Sequence, residues 1–453
     1  MKIVFLSHFY PPTHNAGIEQ NTHALATGLR AMRHSTHVLC CGDWQSGDSY
    51  FQGCTDDEWQ GVPVRRLHVN WTKAPRPHQY LYDNPFLAKH VRAFLTECDP
   101  DVVHVTSLYA LSAQAILETK SLGIPVVFTL SDFWTICPRH TLMRQDETVC
   151  DAQVSAQTCQ DCLMQESSAY RAIRQVVPQS VLLPALSFAV KRPSVAAALP
   201  GVRGWGMDVE ARRATLERAL GHSDVLLAPS DYVRRLVGSA GHRHPITLSP
   251  YGNDLSWLDR YRRRSWDGVL RIGYIGQIKP LKGLHVLVEA FIAGGFGKRA
   301  ELVIHGEPDE DSDYVKHLRA SAIGAPVRFM GGYQRDALPT VLGGVDVIVV
   351  PSIWPEVAGL VVQEAFAAGL PVVASTMGGL PEFVRPGHGG LLFEPSQRGS
   401  LKEVLVALVD GGIDLLNRVR DTIPPVRTTR EEVSFLLEIY KSLVSRRRSV
   451  GAD

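Results

Sequence analysis

The sequence predicts an α/β protein with two doubly wound domains in tandem. Short apolar, β-branched runs alternate with helical patterns through the first half of the 453 residues, and a second alternating series begins near Leu270. Because strands that are apolar throughout are buried on both faces, this alternation indicates parallel sheets covered by helices. At ~150 residues per domain the length permits two or three domains, which excludes a single small module.

The first domain is predicted over residues 1–258. Its strands are KIVFL, STHVLC, DVVHV, PVVFTL, DVLLAPS and PITLSP, and its first helices cover residues 17–33, 86–96 and 111–120. The alternation breaks after PVVFTL and resumes at DVLLAPS. We therefore expect a Cys-containing and helical, Pro-punctuated insertion at residues 135–220 within this domain.

The second domain is predicted over residues 266–425, after a polar and basic linker in the segment 255–268. Its strands are LRIGYIG, AELVIHG, VRFMGGY, VDVIVVPS and PVVAS, with helices over 284–293 and 361–368. A last helix over 426–453 begins with a capping box of Thr429 and Glu432. Its apolar stripe must dock on a neighbour, and the stripe comprises Val433, Leu436, Leu437, Tyr440 and Leu443.

Composition excludes several classes of protein. Forty-seven Lys and Arg against 46 Asp and Glu leave a formal charge of +1, which argues against a tail-driven nucleic-acid binder. The N-terminus lacks the apolar region of a secretory signal, and no uncharged stretch reaches the ~20 apolar residues of a spanning helix. Eight cysteines are too few for a disulfide scaffold, so we expect a reducing, cytoplasmic setting.

A glycine- and lysine-bearing loop follows the first strand of the second domain. Gly276 is followed by Lys279 and Lys282, and Gly283 stands at a helix start. Glycine permits close backbone approach, a helix N-terminus offers free N–H groups, and lysine adds positive charge, so a phosphate would fit this loop. An ordinary strand-to-helix turn with solvated lysines is the alternative.

A pair of glutamates follows VDVIVVPS. Glu356 lies in the loop and Glu364 on the next helix, so the two carboxylates could address opposite ends of one extended ligand. A carboxylate accepts hydrogen bonds from two hydroxyls at once, which suits Glu364 to a ribose diol. The alternative is an ordinary helix residue, but apolar neighbours make the helix look buried, and a buried glutamate needs a partner.

These segments resemble the retaining glycosyltransferases of family 4, which have the GT-B fold. The resemblance covers nearly the whole chain, from HFYPPTHNAGIEQ through PVVFTLSDFW, SPYGND and the lysine loop to PEVAGLVVQEAFAAGLPVVAS. It implies two Rossmann-like domains facing a cleft, with the last helix crossing back to the first domain. It also implies an N-terminal acceptor side and a C-terminal nucleotide-sugar side.

The resemblance assigns roles to individual residues. It implies that Glu356 contacts donor sugar hydroxyls, that Glu364 holds the ribose, and that Lys282 neutralises the diphosphate. Backbone amides around Ala358, Gly359 and Leu360 would approach the sugar and diphosphate.

Three positions depart from the family pattern. Gln277 stands where many members carry arginine, which removes one charge, although Lys279 is placed to compensate. Gly17 lies beside Ala16 where the family has two glycines. Ser131 replaces the usual histidine before Asp132, and serine is a poor base. Asp132 either contacts the acceptor or caps the following segment.

The sequence thus favours a retaining glycosyltransferase, acting in surface polysaccharide or glycoconjugate synthesis. The donor would be a nucleotide diphosphate sugar and the acceptor a glycan or a polyprenyl-linked sugar, with no catalytic metal and no nucleic acid. A non-catalytic sugar-nucleotide or glycan-binding protein on the same fold is the alternative, motivated by the three departures.

Four cysteines lie within the predicted insertion. Four thiolates can complete a tetrahedral zinc site, and the final CQDC has the tight spacing typical of one; the four are Cys137, Cys150, Cys159 and Cys162. Such a site would be structural, because four sulfurs leave no open position. Unlinked cysteines and an iron–sulfur cluster are the alternatives. Four others are predicted to be ordinary packing residues, namely Cys40, Cys41, Cys54 and Cys98.

After these cysteines, an apolar stretch is flanked by Arg171, Arg174, Lys191 and Arg192. Such a stretch either lies on an anionic membrane surface or covers a lipid acceptor. A buried helical pair is the alternative. The membrane interpretation places the protein in the cytoplasm, peripheral to the inner face of the membrane.

Overall fold

The computed structural model describes residues 1–192, 207–242, 244–397 and 399–450. The chain forms two compact units, one made of Met1–Pro250 with Thr429–Asp453 and the other of Tyr251–Thr428. The boundary before Tyr251 lies upstream of the predicted one. Residues 193–206 of the predicted helical stretch, and 451–453 of the predicted last helix, lie outside the described residues.

The first unit is built on an eight-stranded sheet with the strand order β3-β4-β2-β1-β5-β6-β7-β8. All neighbours pair in parallel except β3 and β4. The central strands are buried along their length, as the apolar runs predict. The strands are β1 Lys2–Leu6, β2 Ser35–Cys41, β3 Phe51–Trp59, β4 Val62–Val69, β5 Val102–Val105, β6 Val126–Thr129, β7 Val225–Ala228 and β8 Ile246–Leu248.

Helices cover this sheet and form much of the segment between β6 and β7. They are α1 Gly17–Ala31, α2 Pro77–Tyr80, α3 Pro85–Cys98, α4 Gln114–Ser121, α5 Ala156–Met164, α6 Ser168–Val176, α7 Gln179–Val190, α8 Val209–His222 and α9 Asp231–Ser239. β6 pairs directly with β7. The chain between these two neighbouring strands, which carries α5 to α8 and the four cysteines of the predicted insertion, is therefore an insertion in the sheet.

The antiparallel hairpin of β3 and β4 was not predicted. Most of β3 faces solvent and lacks an apolar pattern, so its sequence carries no strand signal. The hairpin positions Arg66, whose guanidinium donates to the carbonyls of Tyr10 at 3.0 Å and Pro11 at 2.6 Å. Arg66 also pairs with Asp57 of β3 at 2.6 Å. The hairpin therefore fixes the loop that follows β1 through these hydrogen bonds.

The second unit contains a six-stranded parallel sheet with the strand order β11-β10-β9-β12-β13-β14. Its strands are β9 Leu270–Ile275, β10 Ala300–His305, β11 Val327–Gly331, β12 Val347–Val350, β13 Val372–Ser375 and β14 Gly390–Phe393. Its helices are α10 Leu284–Gly294, α11 Asp313–Ser321, α12 Leu338–Gly343, α13 Leu360–Ala367, α14 Leu380–Phe383 and α15 Ser400–Arg420. One apolar cluster covers each face of this sheet.

The prediction of a linker over 255–268 is wrong. Trp257 is only 4% exposed and belongs to an apolar cluster of the second unit, against which Tyr261 packs. Arg264 pairs with the carboxylate of Asp346 at 2.8 Å. Burial raises the pKa of Asp346, and the charge of Arg264 opposes that effect. The polar residues of this segment therefore form ion pairs with the second unit, and the segment is not a mobile connection between the units.

The last helix, α16 Thr429–Val450, belongs to the first unit, which confirms the predicted return. Its entire predicted apolar stripe lies in the core cluster of that unit. A Cβ at Gly28 of α1 would lie 2.9 Å from Val433, so glycine permits the close approach of the two helices. The predicted capping box is wrong. The Thr429 hydroxyl has no hydrogen-bond partner in the described chain, so the reciprocal pair of hydrogen bonds does not form. Glu432 accepts from Asn21 at 3.2 Å.

A buried histidine links α16 to the sheet. His104 of β5 contacts the Tyr440 hydroxyl at 2.6 Å through Nδ1 and the Thr129 hydroxyl at 2.7 Å through Nε2. Burial lowers the pKa of His104 to about 3. An unfolded histidine binds a proton below pH ~6.5 while the folded one stays neutral, so the stability contributed by His104 is lost as pH falls below that value.

We therefore expect the free energy of unfolding to fall by about 1.4 kcal/mol through His104 alone between pH 7.5 and 5.5. Urea unfolding of the wild type and of His104→Asn at both pH values measures this contribution. The variant cannot titrate at this position and should show the smaller fall. Equal falls in the two proteins would contradict the assignment.

Among the described residues, no helix combines the length and the apolar character that crossing a bilayer requires.

Candidate functional site

The lysine loop of the second unit packs against the loop that follows β12. Gly283 has a φ of +70°, and a Cβ there would lie 1.9 Å from the Pro351 carbonyl oxygen. The Ile353 amide donates to the Leu281 carbonyl at 3.0 Å. Only glycine allows both the left-handed backbone and this close approach. The sequence therefore brings Lys282, which precedes Gly283, beside the loop that carries Glu356.

Glu356 is the centre of a polar cluster. Its Oε1 lies 2.8 Å from Lys282 Nζ and accepts from the Ser352 hydroxyl at 2.5 Å and the Trp354 indole at 3.0 Å. The side chain of Lys282 is 27% exposed and that of Glu356 is 13% exposed. The Lys282 ammonium also stands 4.8 Å from the centre of the Trp354 ring. The cluster thus offers a cation and a carboxylate to a ligand at the carboxyl ends of β9 and β12.

The backbone of Glu356 is fixed from its other side by the loop after β13. Gly379 donates to the Glu356 carbonyl at 2.8 Å. Gly378 has a φ of +63°, and a Cβ there would lie 2.4 Å from the Glu356 backbone. The Ser375 hydroxyl donates to the Ser352 carbonyl at 2.6 Å. The loops after three neighbouring strands of the sheet, β9, β12 and β13, therefore hold Glu356 in place.

Glu364 lies on α13 and is buried, as its apolar neighbours predict. Its partner is Arg335, whose guanidinium donates to Glu364 Oε1 and whose side chain is 41% exposed. Burial raises the pKa of Tyr333, and the nearby charge of Glu364 adds to that effect. The adjacent Gln363 accepts from Asn253 at 2.5 Å. Glu364 therefore contacts a different cation from the one that Glu356 contacts.

The other predicted donor-binding residues lie in the same loops. Gly276 follows β9, and its amide donates to the His305 carbonyl at 3.0 Å. Gln277 and Lys279 are exposed. Leu360 begins α13, Gly359 is its N-cap residue, and Ala358 precedes them, so these residues lie at a helix N-terminus. The Leu360 amide already donates to the Ala358 carbonyl at 3.1 Å. Such a terminus attracts anions through its free N–H groups.

In the first unit, Gly17 begins α1 and lies near two hydrogen-bonded side chains, His8 and Glu19. Two residues along, Glu19 accepts from His8 at 3.2 Å, and the two side chains are 5% and 12% exposed. Burial is the largest single influence on the pKa of Glu19 and raises it, but the hydrogen bond from His8 and the other nearby polar groups together lower the pKa.

Ser131 and Asp132 follow β6, as predicted, but both hydrogen-bond within the protein. Ser131 is buried and donates to the Thr129 carbonyl at 3.4 Å. Asp132 accepts from the Ser107 hydroxyl at 3.0 Å and from the Trp134 amide at 2.8 Å. The hydrogen bond from the Trp134 amide, two residues along the chain, is the one expected if Asp132 caps the segment that follows it.

A cluster of aromatic side chains includes Trp134, whose amide donates to Asp132. The Tyr109 ring lies 5.2 Å from Trp134, 5.7 Å from Trp44 and 6.4 Å from His8. Tyr109 and Trp44 are half-buried. The carboxyl ends of β1, β5 and β6 thus carry an aromatic surface in addition to polar groups.

The four cysteines of the insertion are brought to a single pocket. Among the described residues, however, no three Cys, His, Asp or Glu side chains are arranged so that they would hold a metal ion. Cys40 and Cys41 are buried, as expected of packing residues, whereas Cys54 on β3 is exposed and does not pack.

Four further residues belong to these sites although the sequence did not single them out. Ser352 and Trp354 lie within four residues of Glu356 in the sequence, so a contact with its side chain could have been predicted from this proximity. Arg335 and His8 gave no such signal. Arg335 is 29 residues from Glu364 in sequence, and only the fold brings them together.

Comparison with protein families agrees with this architecture. Residues 262–422 match the family model of glycosyl transferases group 1, and residues 16–181 match that of a glycosyl transferase 4-like domain. Together the two matches cover more than half of the chain. The chain belongs to the family 4-type glycosyltransferases of the GT-B fold.

Curated relatives include D-inositol 3-phosphate glycosyltransferases. That of Stackebrandtia nassauensis is 38% identical over 195 residues, which is 39% of this chain and 44% of the relative. That of Actinosynnema mirum is 32% identical over 216 residues, which is 43% of this chain and 52% of the relative. This glycosyltransferase therefore aligns with about half of each relative's length.

Two solved structures show the same fold over the full length. Sucrose-phosphate synthase from Thermosynechococcus elongatus matches with a TM-score of 0.65 at 16% identity, covering 98% of this glycosyltransferase and 99% of the other chain. Anabaena HepE in complex with UDP and glucose matches with a TM-score of 0.58 at 17% identity, covering 100% and 98%.

Proposed function

We propose that this protein transfers a sugar from a nucleotide diphosphate sugar to a glycan or lipid-linked acceptor, with retention of anomeric configuration. The observation that carries the proposal is the 2.8 Å contact of Lys282 with Glu356 at the end of the second unit's sheet. An adjacent cation and carboxylate match the two halves of such a donor, an anionic diphosphate and a hydroxyl-rich sugar.

In this proposal Lys282 and Glu356 bind different parts of the donor. Lys282 turns from Glu356 toward the diphosphate, and the amides of Ala358 and Gly359 supply further hydrogen bonds to it. Glu356 accepts from sugar hydroxyls, still held by Ser352 and Trp354. Charge that develops on the leaving phosphate is thereby stabilised at a pre-formed position.

The transfer breaks the bond between the anomeric carbon and the phosphate oxygen. The acceptor oxygen forms its bond on the same face, and the acceptor proton passes to the departing phosphate. This route requires no strong protein base. It is therefore compatible with Ser131 and with an Asp132 that already accepts two hydrogen bonds.

Glu364 is suited to the ribose of the nucleotide. Its carboxylate is buried and is held by Arg335 through Oε1, which leaves a lone pair on Oε1 and both on Oε2 for hydroxyl donors. The partly exposed Trp44 and Tyr109 support a saccharide in the acceptor, because the C–H faces of a sugar ring pack on aromatic side chains. Surface polysaccharide or glycoconjugate synthesis would use such acceptors.

The experiment is a transfer assay over donors and acceptors. A panel of nucleotide diphosphate sugars is first screened by thermal shift, since a bound donor raises the apparent stability. Sugar transfer and the anomeric configuration of the product are then measured by NMR. Product of inverted configuration would contradict the retaining mechanism. Donor binding without turnover on any acceptor would favour the non-catalytic alternative.

Lys282→Met is expected to lower kcat by about 10²- to 10³-fold, the usual effect of removing one stabilising group from a developing oxyanion. Lys298→Met is the matched control, because Lys298 is an exposed lysine of the same unit that precedes β10, at the edge of the sheet opposite to the lysine loop. It should lose much less activity. A kcat for Lys282→Met close to that of the wild type would remove Lys282 from the proposed mechanism.

We further propose that the protein lies peripherally on an anionic membrane, at the cytoplasmic face. The exposed side of α6 and α7 carries Val176 at 83% exposure, Val181 at 61% and Phe188 at 56%. The cations predicted to flank them are exposed, although Arg174 pairs with Asp161 and Lys191 with Glu210. Apolar side chains beside cations suit a surface of acidic lipids.

Vesicle flotation tests this placement. The protein should float with vesicles that contain acidic phospholipid at low salt, and the double variant Val176→Asp/Phe188→Asp should float far less. Ile323→Asp is the control, because Ile323 is an equally exposed apolar residue, at 83%, in the second unit. Absence of binding by the wild type would remove the membrane proposal and leave the transferase proposal standing.

A further inference from the structure

Four cysteines from three stretches of residues 137–162 line one pocket of the first unit. Cys137 lies in a turn after β6, and Cys150 follows a bridge between Met143 and Val149. Cys159 and Cys162 lie on α5, three residues apart and therefore on one face of the helix. All four belong to the lining of the same pocket. The proposed transfer uses none of them.

The backbone around this pocket is fixed by hydrogen bonds. The Cys137 amide donates to the Phe133 carbonyl at 2.7 Å, and the Cys150 amide donates to the Leu142 carbonyl at 2.7 Å. Ser155 caps α5 by accepting from the Thr158 amide at 3.1 Å. The four positions are therefore held around the pocket although three separate stretches of chain supply them.

Positive charge surrounds the sulfurs. Arg213 donates to Cys159 Sγ at 3.1 Å, and an Arg144 nitrogen lies 4.0 Å from Cys150 Sγ. Arg139 also lines the pocket. These guanidinium groups would offset the negative charge of a metal held by four thiolates.

We propose that Cys137, Cys150, Cys159 and Cys162 bind one Zn²⁺ as a structural site. Four thiols would release their protons and form four Zn–S bonds, which leaves no open position for substrate or water. In the described structure the thiols are not gathered closely enough to hold an ion. Binding therefore requires their side chains to turn toward the centre of the pocket while the backbone stays in place.

The site would fix the segment that directly follows Ser131 and Asp132. Residues 137–162 contain few regular elements besides α5, so a metal cross-link would supply order that an apolar core supplies elsewhere. Zinc sites of this kind contribute directly to folding. The proposal is independent of the reaction, because it concerns stability and metal content alone.

The test measures metal in the full chain purified under reducing conditions without added metal. We expect about one equivalent of zinc by mass spectrometry, lost in the double variant Cys159→Ser/Cys162→Ser together with a lower Tm. Cys54→Ser is the control, because Cys54 is exposed on β3, outside the pocket, and should retain both metal and Tm. Near-zero metal with four freely reactive thiols, disulfides among the four, or iron in place of zinc would each overturn the proposal.

A second measurement covers the case in which the double variant does not fold. Wild-type protein refolded with Co²⁺ should show the sulfur-to-cobalt charge-transfer bands and the intense visible bands of a tetrahedral tetrathiolate site. Added Zn²⁺ should abolish these bands. Their absence in folded wild-type protein would contradict the ligand set.

Discussion

Glu356→Gln is expected to lower kcat/KM for sugar transfer by about 10²- to 10³-fold. The substitution keeps the size of the side chain but removes the charge that Lys282, Ser352 and Trp354 contact through one oxygen. A neutral amide accepts weaker hydrogen bonds from sugar hydroxyls, and it no longer orients the lysine. Steady-state kinetics with the donor identified by thermal shift measures the effect.

Two controls accompany this variant. Glu403→Gln replaces an exposed glutamate of α15 in the same unit and should leave kcat/KM unchanged. Urea unfolding establishes whether Glu356→Gln folds as the wild type does. A folded Glu356→Gln protein with wild-type kinetics would show that the carboxylate does not contact the reacting donor.

Gly283→Ala is expected to reduce the free energy of unfolding by more than about 2 kcal/mol, the upper end of the cost of left-handed backbone in an L-residue. The additional cost arises because the new Cβ would lie 1.9 Å from the Pro351 carbonyl oxygen. The lysine loop and the Glu356 loop must then move apart, so activity should fall even in protein that remains folded. Urea unfolding and transfer kinetics report the two effects separately.

Gly295→Ala separates the two causes. Gly295 ends the same helix, α10, with a φ of +60°, but a Cβ there meets no atom within 4 Å. This variant should lose only about 1–2 kcal/mol of stability and keep its activity. Equal losses of stability in the two glycine variants would mean that backbone strain, and not contact with Pro351, accounts for the effect.

The core strands and the last helix were predictable because their patterns are local. Buried parallel strands such as β1, β5 and β12 require continuous apolar runs, and these runs are legible in the sequence. The stripe of α16 identified the face that docks, although the capping box at Thr429 did not form. Glu432 accepts a hydrogen bond from Asn21, which is 411 residues away in the sequence.

The hairpin of β3 and β4 was missed for the opposite reason. An edge strand that faces solvent does not need an apolar pattern, so β3 reads as a polar loop. The linker prediction failed similarly, because Arg264 and its neighbours are polar in order to form ion pairs with residues such as Asp346. Polarity along a chain does not distinguish a free segment from one that makes charged contacts.

By itself, the sequence determined the two α/β series, the apolar stripe of the last helix and the loops in which Lys282, Glu356 and Glu364 lie, because periodicity and glycine placement act over short stretches of chain. Only the tertiary structure decided which groups meet. It joined Lys282 to Glu356 across 74 residues, gave Glu364 the partner Arg335, and gathered four cysteines around one pocket. Contacts of this kind depend on the packing of loops from different strands, and packing leaves no periodic trace in the sequence.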